Sequence, residues 1–355
     1  MAANPIFGTL IFLLGGVAAA TYLLPFRAVK GWRYETGWLV SVLVGWLVFP
    51  LAFDVWAVPD FWAVLGAAPS LTLARAFGFG VLWGVGALSW ALMVRYLGIG
   101  LGLGIGAGLC AATGTLLPPV CTGHAADLVA TPGARVVLAG VGVSLTGIVA
   151  VGLAGRFKEC EMSDAAKRQA VAEFDFRKGL VAAIVAGVAS AGINFGLQGA
   201  PELERAALAS GTSPTWAGMP VLTVVLWGGL LTQLVWVGWK RWCACANGRV
   251  DFKSLSSFRP LTSEVRAALR NFILSGLVGI LGALQFVLQK AGEPLMGDFR
   301  YISFAVLMSS AVFFSAILGV CLGEWRGTSV RTKAFLAVGI AVLALGFAVM
   351  AVGGK

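Results

Sequence analysis

The run RYLGIGLGLGIGAGLCAATGTLLPP, from Arg95 to Pro119, places Gly98, Gly100, Gly102, Gly104, Gly106 and Gly108 at every second position. Three readings compete for it. A dinucleotide-binding turn needs glycines at i, i+2 and i+5 between a strand and a helix. All six glycines here are even-numbered, so i+5 is never glycine, and no Gly-Lys-Ser/Thr follows to make a phosphate loop. A strand would be weakened by residues that offer no side chain to pack. A helix accommodates the pattern, because two residues advance about 200°. Gly98, Gly102 and Gly106 then form one small-residue ridge, and Gly100, Gly104 and Gly108 a second on nearly the opposite face. Such ridges let helices approach closely in lipid, so the run predicts a helix-packing segment pressed between two neighbours.

That reading requires a membrane, and composition supplies one. Of 355 residues, 59% are hydrophobic and only 12% charged, about half the charged share of an average soluble domain. The chain reads as an all-α integral membrane protein. The opening MAANPIFGTL carries no basic segment, so the first apolar stretch is expected to be a retained span rather than a cleaved leader. Apolar runs long enough to cross about 30 Å of hydrocarbon fall at 6–26, 35–56, 75–95, 98–119, 135–154, 179–199, 216–239, 268–290, 301–322 and 334–353, which predicts ten transmembrane helices.

The net charge of +10 is a matter of topology. Twenty of the 26 basic residues lie in the odd-numbered connections, Arg27, Lys30 and Arg33 in the first among them, and six in the even ones. By the positive-inside rule the odd connections are cytoplasmic and both termini lie outside, so no nucleic-acid partner is needed. The halves also resemble one another: GVGALSWALMVRYLG in the third span parallels GILGALQFVLQKAG in the eighth, and GGVAAATY in the first parallels AGVASAGINF in the sixth. An offset of five spans inverts the second copy, giving a five-plus-five inverted repeat: 1–155, a basic cytoplasmic linker at 156–178, and 179–355. Transporters built this way place the solute near the midplane between the repeats.

Chemistry-bearing residues are sparse. One histidine and scattered cysteines (Cys110, Cys121, Cys160, Cys243, Cys245 and Cys321) offer no zinc site of common spacing, and no Ser–His–Asp set can be assembled. The sequence predicts no enzyme, no metal and no cofactor beyond a coupling ion. All sixteen acids lie in loops or near span ends. Glu35 and Asp54, 19 residues apart, bracket the second span about 28 Å from one another. No mid-span carboxylate marks a proton relay. Asp298, Glu35 and His124 are the proton-coupling candidates, His124 because its ordinary pKa lies near neutrality. Uncharged polar residues within spans say more. Ser190, Asn194 and Gln198 recur at i, i+4 and i+8, one stripe along a helix. Gln289 follows Gln285 by one turn, and Ser89 and Trp90 align with Gln285 and Phe286 under the repeat. Such a stripe must face a bundle interior or a water-filled cavity. Amides and hydroxyls beside Tyr22, Trp46, Trp83, Trp90 and Phe286 suit a neutral polyol, offering partners for its hydroxyls and rings for its C–H faces.

The elements LPFRAVKGWRYETGW (24–38), LWGVGALSWALMVRYLGIGLGLGIG (82–106), FDFRKGLV (174–181), DFRYIS (298–303) and LGEWRG (322–327) occur in order along the chain. They resemble the L-rhamnose–proton symporter family of the drug/metabolite transporter superfamily, and the likeness covers nearly the whole sequence. It implies ten helices in a drug/metabolite transporter-like inverted repeat and proton-driven uptake of a methyl pentose across a bacterial inner membrane. This chain departs from the family pattern at Ala87 and Ser89, where the family carries asparagines, at Trp90, where it carries tyrosine, and at Arg300, where it carries aspartate. The expected function is a secondary carrier importing L-rhamnose or a related deoxy-sugar with protons by alternating access. Its partners are a sugar and the bilayer, and its oligomeric state is left open. Sodium coupling, or export of another small polar metabolite, is the alternative.

Overall fold

The computed structural model describes residues 4–121, 123, 125–161, 175–246 and 262–353. His124 lies outside them. Among the described residues every regular element is helical. The N-terminal half contains α1 (Pro5–Thr21), α2 (Tyr34–Leu43), α3 (Phe49–Ala57), α4 (Phe61–Ala67), α5 (Ser70–Cys121), α6 (Asp127–Ala130) and α7 (Pro132–Glu161). The C-terminal half contains α8 (Phe176–Ser190), α9 (Gly192–Gln198), α10 (Pro201–Ala209), α11 (Met219–Ala246), α12 (Thr262–Gly292), α13 (Ser303–Cys321) and α14 (Val330–Gly353), with a 3₁₀ segment, Glu293–Ile302, between α12 and α13.

Local sequence sets several boundaries. Asn4 caps α1 by accepting from the Phe7 N–H at 3.1 Å, with Pro5 at the first helical position, where a missing N–H costs nothing. Asp175 caps α8 by accepting from the Lys178 N–H at 3.0 Å. Between α2 and α3 the helix widens into a π turn at Val44–Val48. Pro50 has no N–H for the carbonyl of Trp46, which explains the local loosening. The bulge is also where two helices touch backbone to backbone: a Cβ on Gly45 would lie 2.2 Å from the Gly279 carbonyl oxygen. Only glycine fits on either side.

Eight segments are long and apolar enough to cross a membrane. Two features bear on how many crossings they make. First, the 52-residue α5 reverses direction. A Cβ on Gly106 would stand 2.7 Å from Met93 Sδ, yet thirteen residues of straight helix rise about 20 Å. Along α8 and α9, Gly179 meets Leu97, Ser190 meets Gly86 and Gly196 meets Phe79, while Gly187 meets Leu109 and Ala191 meets Gly114. The two arms of α5 therefore run antiparallel, the first including the span Ser70–Trp90 and the second the shorter apolar helix Ile105–Cys121. Second, the 57-residue stretch Val265–Cys321 contains α12, the 3₁₀ segment and α13, and Gly297 turns the chain there at φ 56°. Gly8 of α1 packs on Gly292 and Met296, and Gly15 packs on Gln285 and Leu307, so α12 and α13 are antiparallel as well.

Helix contacts form a regular set. α1 packs on α12 and α13, and α8 with α9 packs on both arms of α5. α2 packs on α12, and α11 on the first arm of α5. α7 packs on α14, and α13 on α5. The spans Arg177–Ala209 and Met219–Lys240 are 61% buried, against 33% for Pro5–Ala28, so the former are central and the latter peripheral. Leu14, Val55, Val181, Ile273 and Val338 project outward from the bundle, as lipid-facing side chains do. Exposed tryptophans sit near both ends, Trp56 and Trp62 at one and Trp239 and Trp242 at the other, where indole rings prefer the interface.

The connections segregate in the same way. At one end the odd-numbered connections meet: Arg27 pairs with Glu324 at 3.1 Å, Lys240 with Glu35 at 3.0 Å, and Asn271 donates to the Lys30 carbonyl at 2.6 Å. Glu161 accepts from the Ser329 N–H at 2.7 Å. At the other end the even connections meet: the Asn4 N–H donates to the Leu295 carbonyl at 2.9 Å, and Thr72 to Glu202 at 3.4 Å.

Candidate functional site

A cavity of about 620 Å³ runs between the helices from the middle of the bundle to the odd-connection end, within the size range of small-molecule pockets. Its deep wall is aromatic. Trp46 and Trp83 lie 4.5 Å apart by ring centroid, and Trp83 meets Phe286 edge-on at 5.6 Å. Trp38 extends the row at 6.4 Å from Trp46. It is oriented by its indole N–H, which donates to Gln233 Oε1 at 3.1 Å, while Gln233 Nε2 is itself held by the Gly84 carbonyl at 3.2 Å. Across the pocket, Trp90 Nε1 donates to Ser190 Oγ at 2.8 Å, joining α5 to α8 at the point where α8 gives way to α9.

The polar lining deep in the pocket is uncharged: Ser41, Ser190 and Gln285, with Ser315 nearer the mouth. Gln285 Nε2 is committed to the Gly282 carbonyl at 2.7 Å. The charged lining residues, Lys158, Glu159 and Glu324, belong to the odd-connection end, where Lys158 Nζ stands 4.9 Å above the Trp325 ring. Rings flanked by hydroxyls and an amide, with formal charge kept at the rim, match a neutral, hydroxyl-rich solute.

Toward the even-connection end the pocket is closed by a bonded layer. Asn194, fully buried, donates to the Gly114 carbonyl at 2.6 Å and accepts from Gln289 Nε2 at 3.0 Å. Gln289 also donates to Glu293 Oε1 at 3.3 Å, and Ser303 donates to the same oxygen at 3.0 Å. Beyond lies a four-charge cluster. Lys290 pairs with Glu293 at 2.7 Å and with Glu204, and Arg300 reaches Glu204 at 3.1 Å and Glu293 at 3.6 Å. Lys290 and Glu293 are each only 2% exposed. Two anions and two cations in alternating contact leave no buried charge uncompensated.

The residues singled out from sequence divide between these regions. Trp83, Trp90, Ser190 and Gln285 line the cavity, as do Tyr22, Trp46 and Phe286. Asn194 and Gln289 belong to the bonded layer. Gln198 ends α9 on the same side, and Ser89 bonds back to the Val85 carbonyl at 3.0 Å; neither lines the cavity. Glu35 is held by Lys240 at the odd end, and Asp298 is exposed on the 3₁₀ segment. Gly106 faces the first arm of α5 and Gly108 faces Ile148 of α7 at 3.9 Å. The side chains of residues 98 to 104 lie outside the description. Outside the spans, Asp175 is held below the usual carboxylate range by the Lys178 N–H it caps, assisted by the Lys178 ammonium.

Sequence reasoning did not single out Trp38 and Ser41 for the pocket, nor Lys290, Glu204 and Glu293 for its closure. Trp38 was visible in the WRYETGW motif. The spacing of Lys290 and Glu293, i and i+3, was a signal for a pair, but their burial was not visible in a chain read as ending its span at 290.

The profile of the L-rhamnose-proton symport protein family (RhaT) matches residues 1–354. The chain belongs to this family. Similar relatives include the L-rhamnose-proton symporter of Cronobacter sakazakii, 34% identical over 337 residues covering 95% of this chain and 94% of that one. The symporter of Escherichia coli is 33% identical over 332 residues, 93% of each chain, and that of Yersinia pestis is 32% identical over 338 residues, 95% of each. The match runs from end to end, so the pocket and the closing layer both lie within the matched residues. A symporter is a transporter and not an enzyme, in keeping with a pocket walled by rings, hydroxyls and an amide.

Proposed function

We propose that this protein imports L-rhamnose, or a closely related deoxy-sugar, together with protons by alternating access. The observation that carries the reading is the neutral, aromatic-walled cavity open toward one end only, in a chain of the symporter family. Trp83, Trp90, Ser190 and Gln285 bind the sugar directly, with Trp38 and Ser41 completing the wall. Asn194, Gln289, Gln198 and Ser89 support the pocket from behind, linking it to the closing layer. Sodium in place of protons is the remaining coupling mode.

The proposed architecture is ten membrane crossings in a five-plus-five inverted repeat, 1–155 and 179–355, joined by the basic linker 156–178. Counting the two arms of α5 and separating α12 from α13 supports ten. The contact set supports the inversion. Exchanging each helix for its counterpart five crossings away turns α1 with α12 into α8–α9 with the first arm of α5. It turns α2 with α12 into α11 with that arm, and it returns α7 with α14 to itself. The basic odd connections place the open end in the cytoplasm, so the molecule is inward-facing, with both termini in the periplasm of a bacterial inner membrane. Helix packing by the glycines from Gly98 to Gly108 belongs to the same proposal, as contacts along which the repeats rock. Glu35 and Asp298, at opposite ends, are placed for proton exit and entry.

Reconstitution into liposomes tests this. Uptake of labelled L-rhamnose should be driven by an acid-outside gradient and abolished when the gradient is collapsed. Accumulation that follows a sodium gradient instead would overturn proton coupling, and failure of rhamnose to displace its own label would overturn the substrate.

A further inference from the structure

Asp54 is the one acid in α3, one turn from the end of the helix, and it is completely buried. Its Oδ2 lies 2.5 Å from Thr223 Oγ1 on α11. Its Oδ1 is buried and has no hydrogen-bond partner among the described residues. α3 packs against the π turn Val44–Val48, α11 and α12. The π turn has no ionisable residue. Those of α11 are Lys240, Arg241, Cys243 and Cys245, at its opposite end; Lys240 is paired with Glu35. Those of α12 are Glu264, Arg266 and Arg270, also at the opposite end, and Lys290, already shared by Glu204 and Glu293. No cation among the described residues pairs with Asp54. This contrasts with Glu293, which is equally buried but has both oxygens bonded and two cations beside it.

An ionised carboxylate in apolar surroundings with an oxygen unmatched is costly, whereas the neutral acid leaves only a carbonyl unbonded. We infer that Asp54 is the proton-binding site of the carrier, protonated from the even-connection side before that end shuts and still carrying the proton in the sealed form. The inference rests on the carrier reading above. The step is a simple association, carboxylate plus proton giving the carboxylic acid. The acid's O–H donates to Thr223 Oγ1, replacing the bond in which the Thr223 hydroxyl donates to the carboxylate. Once the sugar has left through the cavity at the odd-connection end, the proton leaves by that cavity too, and reopening of the even end returns Asp54 to water as the ionised carboxylate. A proton arriving from that side neutralises it and permits closure around a loaded sugar. The coupling is the differential affinity of the two states for the proton.

The test uses the full chain in liposomes. With one pH unit imposed, one-proton coupling sustains about tenfold accumulation of labelled L-rhamnose, since one unit and one decade of concentration are the same free energy. Asp54→Asn should keep rhamnose exchange and lose that accumulation. Infrared spectra of the wild type should contain a neutral carboxylic-acid carbonyl band that disappears in Asp54→Asn and moves in Asp54→Glu. Should Asp54→Asn fail to fold, the band's response to Asp54→Glu decides alone. Wild-type accumulation retained in Asp54→Asn, the lack of a neutral-acid band, or a band indifferent to Asp54→Glu overturns the inference. Failure of the wild type to accumulate rhamnose overturns the carrier reading instead, and the infrared band then decides whether Asp54 holds a proton.

Discussion

The two ends of the bundle are held by ion pairs of opposite character. At the odd-connection end, Arg27 and Glu324 meet at 3.1 Å with side chains 61% and 43% exposed, and the cavity reaches Glu324 itself. At the even-connection end, Lys290 and Glu293 meet at 2.7 Å with 2% exposure each, bridged by Glu204 and Arg300. The same residue types thus do different work. Water screens the exposed pair, which can break and reform at little cost. Breaking the buried cluster strands charge in a low dielectric. An end that must stay shut while its load leaves by the other side is better served by the second, and an end already open by the first.

The largest effect expected from this contrast is in stability. Lys290→Met should lower the unfolding free energy by about 3–5 kcal/mol, the cost of leaving buried carboxylates without their partner, read as a large drop in the thermal midpoint in detergent. A variant as stable as the parent would mean that the cluster is not a closure. Next is accessibility. In a background without native cysteines, Ser315→Cys in the cavity should react with a polar thiol reagent at least about tenfold faster than Ser303→Cys in the closing layer, an energy gap of ~1.4 kcal/mol. Equal rates would show that the even end opens as readily as the odd one. Gln285→Ala should then raise the KM for rhamnose about two- to tenfold with turnover unchanged, as loss of one uniformly used hydrogen bond does; an altered turnover at constant KM would move Gln285 out of the binding wall. The smallest effect belongs to Arg27→Ala, within about 1 kcal/mol of the parent in denaturant stability and shrinking further in high salt.

Much of this was legible in the sequence. Hydropathy alone marks membrane helices, and the uneven basic residues separate the two ends, because lipid forbids unsatisfied backbone and basic loops resist translocation. The aromatic wall was legible too, since Trp46, Trp83, Trp90 and Phe286 lie within spans beside polar residues. The fate of the polar stripe was not. Ser190 and Asn194 are one turn apart on the same face, yet Ser190 lines the cavity while Asn194 is tied to Gly114 and Gln289. Which turn of a stripe meets open space depends on neighbours far away in sequence, here the second arm of α5 and the last turn of α12. Likewise Asp54 and Glu293 read as acids at span ends, and only helix packing distinguishes a charge at an interface from one sealed in protein.

By itself the sequence determined the class of molecule, its apolar helices, the separation of the two ends and the family, because each depends on local hydrophobicity, on counted charges or on motifs read in order. The tertiary structure decided which end is shut, which polar groups face the cavity, and which acids have cations beside them. Those are questions of distance between helices that no local pattern encodes, and burial turns small differences in distance into large differences in electrostatic free energy.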